Sequence, residues 1–415
     1  MNPVHPAIEI FEFAATIVHM RQSPPFKEDA AMRPPTSSHV TKYLKAIQEL
    51  APLVAELRDS FDRERRLPDR IFDELADAGL FRLWLPAALG GPELSPLDFM
   101  TVVEAAAALD GSIGWIIGNG GGMSRAGAFV PDITARKWFA EPRAFIVAST
   151  GAVGEAVPVE GGYLVSGQWP FGSGAHHATL FMGLAAVKTD SGEDTQLSCY
   201  MDRGSVIIND NWNVSGLRGT GSYQFAARKT FVPSSWAHDS VAPRPCQAGL
   251  VYRLPVVSMF AWTVSTVPLG IARGAIDSFT ELAASRRRQR TNIFLRDREI
   301  VQAAVGRAEA MYRSARAFLI DAMSELMDET DELGEATIRT RAMFRAACAN
   351  TAEAASRIAH LLVREAGAVS IFESCLLERA VRDINAASQH VAMSQNNYAV
   401  LGRIGLGLDP GVARV

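Results

Sequence analysis

NWNVSGLRGTGSYQFAARKTFVP, residues 211–233, is the stretch on which the fold class turns. Gly216, Gly219 and Gly221 give a backbone free to form a tight loop, and Thr220 and Ser222 place hydroxyls in it. QFAARKTFVP then reads as a strand that stops at Pro233. Short apolar runs of the same kind recur on both sides between 145 and 240: AFIVAST, GYLVSGQW, TLFMGLAAV, QLSCYM and SVIIND. Turn residues separate them, so the middle of the chain reads as a compact β domain.

The flanks follow a different grammar. YLKAIQELAPLVAELRDSFDRER steps its apolar residues by three and four, as a helix requires. In LPDRIFDELADAGLFRLWLP, Pro68 suits a first turn and Gly79 an end. Small residues at Ala105 to Ala108 imply close helix packing. Beyond 255 the chain is rich in Ala, Leu, Arg and Glu, with about four helices suggesting a bundle. Four segments are expected: a poorly ordered arm over 1–38, an N-terminal helical domain over 39–144, the β domain over 145–250 and a helical bundle over 251–415.

Composition excludes several classes. The chain has 415 residues, 48% hydrophobic and 21% charged, with a net charge of -4, so it can bury a large core and carries no cationic footprint for nucleic acid. Its four cysteines lie far apart and show no CxxC spacing, as fits reduced thiols in the cytoplasm. His176 and His177, neighbours on a strand, would face opposite ways and make a poor metal site, so no metal is expected. No apolar run is read as long enough to span a membrane. The run SRRRQR at 285–290 reads on its own as a solvated helix face.

Near the C-terminus stands ERAVRDINAASQHVAM, 378–393. Helical spacing would put Asp383 and His390 two turns apart on one face. Imidazole exchanges a proton near neutral pH, with an ordinary pKa of about 6.5, so His390 is a candidate proton handler.

Taken together these segments resemble the acyl-CoA dehydrogenase superfamily. The marks are Trp169 to Gly174 in the strand GQWPFGSG, the loop GLRGTGS at 216–222 followed by FVP, the pair Phe294 and Gln302, and Glu378, Arg379, Arg382 and Asp383 as an ER-x-x-RD signature. The resemblance implies an α+β, mostly helical fold: an N-terminal helical domain, a central β-barrel-like domain and a C-terminal four-helix bundle, with flavin between the last two and a homotetramer. Two features depart from dehydrogenases. The Y-E-G-T segment that supplies their catalytic Glu is missing, and Ser388, Gln389, His390 and Val391 stand there instead. In the R-x-x-F-G segment, Leu295 replaces the Gly and Arg290 is out of register.

These departures resemble the two-component flavin monooxygenases of the p-hydroxyphenylacetate hydroxylase type. That branch has W-x-F-x-S-G followed by H-A, here Trp169, Phe171, Ser173, Gly174, His177 and Ala178. It also has A-x-x-Q-H, here Ala386, Gln389 and His390. The resemblance implies reduced FMN or FAD, supplied by a separate NAD(P)H:flavin reductase, and O2. A C4a-hydroperoxyflavin then hydroxylates an aromatic substrate, phenolic or polycyclic. Ser173 would hydrogen-bond flavin N5, with Trp169, Phe171 and Gly174 beside the ring. His390 would manage the proton, by taking it from a phenol or by donating its N–H. Asn119 would lie near the reacting oxygen, Trp212 on the substrate side, and Arg286 and Arg290 on the flavin phosphate. Two readings on the same scaffold compete: an acyl-CoA dehydrogenase-type desaturase, and an N- or S-oxygenase. A catalytically dead relative acting as a binding protein is a third.

Overall fold

The computed structural model describes residues 38–187, 195–288 and 290–412. The arm expected over 1–38 lies outside them except for Ser38. The helical N-terminal part runs α1 (Ser38–Glu49), α2 (Ala51–Glu64), α3 (Asp69–Asp77), α4 (Pro96–Leu109), α5 (Gly111–Met123) and α6 (Asp132–Phe139). Pro52 in the first turn of α2 separates it from α1. Ser95 caps α4 by accepting from the Asp98 amide at 3.1 Å, and Asp110 caps α5 by accepting from the Ser112 amide at 2.9 Å. The glycine run GNGGGM, equally readable as a flexible loop, is the last part of α5. Its glycines serve packing: a Cβ at Gly118 would run into the Thr263 carbonyl of a neighbouring helix.

Among the described residues seven strands follow: β1 (Ile146–Val159), β2 (Gly162–Gly172), β3 (Leu180–Val187), β4 (Thr195–Asp202), β5 (Ile207–Asn209), β6 (Tyr223–Pro233) and β7 (Ala237–Asp239). They form one sheet in the order β5-β6-β2-β1-β3-β4-β7. β1 and β3 pair in parallel and the other pairs are antiparallel. The hydrogen-bonded order is linear, yet the sheet rolls on itself. Phe181 of β3 and Phe225 of β6 have ring centroids 4.7 Å apart, although two strands separate them in the sheet. Trp169 fills the inside of the roll and donates its Nε1–H to the Leu184 carbonyl at 2.9 Å. The barrel-like character thus comes from side-chain packing across the roll.

The remainder is helical: α7 (Leu250–Arg253), α8 (Val256–Ser265), α9 (Val267–Ser285), α10 (Glu299–Leu333), α11 (Ile338–Ala366), α12 (Leu376–Ala387) and α13 (Asn396–Gly405). α9 to α12 pack together as the four-helix bundle. The stretch Val256–Ser285 is, contrary to the sequence expectation, long and apolar enough by length and composition to cross a membrane, but most of it is buried inside the fold. Its apolarity serves the core. α4 and α9 approach closely because small residues meet: a Cβ at Gly270 would strike Ala107. Glu104 on α4, buried, accepts from the Tyr312 hydroxyl at 2.7 Å and from Arg316 Nε at 2.9 Å, fastening the N-terminal helices to α10.

The ER-x-x-RD signature is a clasp between all three parts. Arg379 lies 3.0 Å from Asp62 of α2, 3.1 Å from Asp110 and 3.7 Å from Asp383. Arg382 reaches Asp62 at 3.1 Å and Glu378 at 2.7 Å, and donates to the Ser215 carbonyl at 2.9 Å. Asp383 accepts from the Leu217 amide at 2.6 Å, so the glycine loop hangs from α12. A side chain at Gly216 would collide with the Arg382 carbonyl, which is why this loop needs glycine there. Burial pushes the Asp383 carboxyl up to about 7, against the opposing pull of Arg379. A cavity of about 40 Å³ lined by Arg58, Asp110, Arg379 and Asp383 adjoins the clasp, room for water and far too little for a flavin. Arg379→Ala leaves buried carboxylates uncompensated and should cost about 3–5 kcal/mol in urea unfolding. Asp383→Asn keeps an acceptor for Leu217 and should cost less than half as much. Equal losses would refute the pairing.

Candidate active site

The site is built around Trp115, a residue that the sequence reading did not single out. It sits in the second turn of α5, fixed by the Asp110 cap. Its Nε1–H donates to Ser173 Oγ at 3.0 Å. Its ring meets His390 edge-on, with centroids 5.8 Å apart and planes at 74°. Its carbonyl accepts from Asn119 Nδ2 at 2.8 Å, one helical turn on. Ser173, His390 and Asn119, named separately from sequence, therefore all touch one tryptophan. The signal that could have found it is an N–H-bearing aromatic, four residues from Asn119, in a helix otherwise lined with glycine.

Ser173 follows directly on β2. The β2–β6 register slips between Trp169 and Gly172, and Phe171 takes a φ of 62°. The slip turns Phe171 outward, where it is 66% exposed and meets Trp212 edge-on at 6.4 Å. Ser173 itself is turned inward. Its Oγ lies 2.8 Å from Ser222 Oγ, which lies 2.7 Å from Thr220 Oγ1, which donates to the Leu217 carbonyl at 2.8 Å. The Gly174 amide donates to the Thr220 carbonyl at 2.8 Å, so the turn after β2 and the glycine loop form one unit.

His390 is not on the face of α12 with Asp383. The helix ends at Ala387, and His390 takes an extended conformation at the start of a short 3-10 turn, Val391–Met393. Its Nδ1 accepts from the Ala392 amide at 3.2 Å, which places the proton on Nε2. That Nε2 has no hydrogen-bond partner among the described residues. Burial pushes the imidazole down to about 4 from its ordinary 6.5. The expectation that it titrates near neutrality is therefore corrected. At pH 7 it is a neutral ring with one N–H to give.

The remaining candidates fall elsewhere. Trp169 is fully enclosed inside the sheet, where Gly183 and Gly154 press on its ring, so it takes the role of a core residue. Trp212 is half-buried and donates to the Arg218 carbonyl at 3.2 Å. Arg286 and Arg290 are exposed on a hairpin beyond the end of α9, held by a bond from the Leu295 amide to the Arg286 carbonyl at 2.9 Å. The basic run is thus a loop and not a helix face. Arg287 in the same hairpin stacks its guanidinium 4.5 Å from the Phe294 ring centre. The hairpin makes no hydrogen bond or ring contact with Trp115, Ser173 or His390 among the described residues.

Comparison with known proteins agrees with this architecture. The family model "Acyl-CoA dehydrogenase, N-terminal domain" matches residues 42–128, and "Acyl-CoA dehydrogenase, C-terminal domain" matches 262–395. Together they take in just over half of the chain. The chain is 28% identical over 379 residues to the flavin-dependent monooxygenase, oxygenase subunit HsaA, of Mycobacterium tuberculosis, covering 89% of this chain and 96% of that one. It is 26% identical over 380 residues to the p-hydroxyphenylacetate 3-hydroxylase, oxygenase component, of Acinetobacter baumannii, covering 88% and 89%. The structure of XiaF from Streptomyces sp., solved with FADH2 and glycerol, superposes with a TM-score of 0.84 at 23% identity, over 92% of this chain and 98% of that one. By its two matched domains, its helix–sheet–bundle order and the clasp that joins them, the chain belongs to the acyl-CoA dehydrogenase family.

Proposed function

We propose that this chain is the oxygenase component of a two-component flavin monooxygenase. It takes reduced FMN or FAD from a separate NAD(P)H:flavin reductase and hydroxylates an aromatic small molecule, phenolic or polycyclic, with O2. It works in the cytoplasm as a homotetramer. The observation that carries the reading is the Trp115 hub, which joins a buried serine hydroxyl to a half-buried histidine held neutral. The relatives named as oxygenase subunit and oxygenase component fit the same reading. Ile371, Phe372, Val391 and Leu406, each at least 60% exposed, supply apolar surface for self-assembly.

The residues suit a reduced flavin. Ser173 Oγ keeps one lone pair beyond its bonds to Trp115 and Ser222, and would accept from N5–H. Arg286, Arg287, Arg288 and Arg290 form no ion pair with a carboxylate among the described residues, so their charge is available to the flavin phosphate. Bound reduced flavin supplies the electrons that activate O2 for transfer of one oxygen atom. His390, with its proton on Nε2, would be the group that can donate a hydrogen bond to that oxygen. Trp115, held to Ser173 and flanked by His390 and Asn119, would help keep water out, which limits loss of hydrogen peroxide. A desaturase would need a carboxylate base. The nearby carboxylates Asp62, Asp110, Glu378 and Asp383 are all spent in the clasp.

Reduced FMN, O2 and a panel of phenols should give product together with some hydrogen peroxide. Bleaching of tightly bound FAD by an acyl-CoA would favour the desaturase. In His390→Ala, affinity for reduced FMN should stay within about twofold while hydroxylation falls about 100-fold or more. Turnover equal to wild type would remove His390 from the mechanism. In Ser173→Ala, the ratio of peroxide to product should rise, and unchanged coupling would count against its role.

His390 also makes stability depend on pH. Between 6.5 and about 4, the unfolded chain binds a proton that the folded chain refuses. The contribution is present above 6.5 and is lost as pH falls toward 4, by on the order of 2–3 kcal/mol. Urea titrations from pH 7 to 4 should show this loss reduced in His390→Asn. Parallel curves would show that the ring is not buried neutral.

A further inference from the structure

The hydroxyl chain behind Ser173 can be wired in one direction only. The Leu217 carbonyl has no hydrogen to give, so Thr220 donates to it across 2.8 Å. That uses the single Thr220 proton. In the 2.7 Å contact Ser222 must therefore donate to Thr220. The Ser222 proton is then spent, so Ser173 donates to Ser222 at 2.8 Å. Trp115 Nε1, which can only donate, gives its hydrogen to Ser173 at 3.0 Å. A hydroxyl has one proton and two lone pairs. Ser173 is left with one lone pair and no proton.

We infer that Thr220 and Ser222 are positioning residues that hold Ser173 as an obligate acceptor. The site thereby takes reduced flavin, which carries a hydrogen on N5, and rejects oxidised flavin, whose N5 is itself an acceptor. Reversing the chain would set the Thr220 lone pair against the Leu217 carbonyl and sacrifice a bond. Ser173, Thr220 and Ser222 are 8%, 1% and 4% exposed, so water does not replace what is lost. The wire is anchored from behind as well, since the amide of Leu217 is held by Asp383 at 2.6 Å. Selection of the flavin redox state is thus set two and three bonds away from the cofactor, by residues that never touch it. The inference rests on the reading that Ser173 meets N5.

The test is anaerobic equilibrium binding of FMN, oxidised and reduced, to the full-length protein. Wild type should prefer the reduced form. Ser222→Ala frees the Ser173 proton to turn toward N5, so oxidised FMN should bind about tenfold more tightly relative to reduced FMN. The midpoint potential of the bound flavin should fall by about 30 mV for the two-electron couple. Thr220→Val, nearly isosteric, guards against a folding failure in Ser222→Ala and should shift the ratio in the same direction. Thr220→Ser restores the terminal donor and should restore the wild-type ratio. A wild-type protein that binds neither form overturns the flavin reading itself. A preference for reduced FMN that survives unchanged in both Ser222→Ala and Thr220→Val overturns the wiring and leaves that reading standing.

Discussion

Arg379 is the charge that joins the N-terminal helices to the bundle and, through Asp383, to the glycine loop. The residue is 8% exposed, and its guanidinium faces Asp62, Asp110 and Asp383, which come from α2, from the α4–α5 junction and from its own helix. An unpaired buried carboxylate costs several kcal/mol, so none of these segments can leave without stranding charge. A clasp of this kind gains little over a well-packed apolar contact. Its value lies in direction, because each carboxylate accepts in one geometry, and the helices, the glycine loop and the bundle can then dock in one register.

The clasp and the candidate site meet at Leu217. Its amide is held by Asp383 and its carbonyl receives the proton of Thr220. One peptide unit therefore ends the ionic network on one side and the hydroxyl network on the other. Asp110 makes a second link, pairing with Arg379 while capping the helix that carries Trp115. The side chains that define the site are thus fixed at both ends by the group that fastens the domains. This explains why a signature far from the reacting atoms accompanies the fold.

What could be read from the sequence follows the range of each interaction. The helix–strand–helix order was legible because hydrophobic period and turn residues act within a few residues. The glycine loop was legible because Gly216 and its neighbours answer a local steric demand. His390 stood out by its residue type and Ser173 and Asn119 through resemblance, while their common neighbour did not. Trp115 reaches Ser173 across 58 residues of sequence, and no periodicity encodes such a pair. The end of α12 at Ala387 was missed for a related reason. AASQH contains no glycine or proline, and the helix stops where the chain turns to pack the 3-10 segment against α8 and α11. Trp169 shows the same limit, because a strand-borne tryptophan before a serine looks the same in sequence whether its ring faces a ligand or, as here, the inside of the rolled sheet.

Burial does two things to this site at once. It limits the access of water, as the proposed oxygen transfer requires, and it disfavours charge on His390. A dry site therefore cannot rely on a freely titrating imidazole. What remains available is fixed polarity: an N–H on His390 whose tautomer is set by the Ala392 amide, and a lone pair on Ser173 whose orientation is set by Thr220 and Ser222. Both are decided by backbone groups, which do not titrate. In this arrangement the chemistry is governed by which atoms donate and which accept, and that assignment is made by the fold before any ligand arrives.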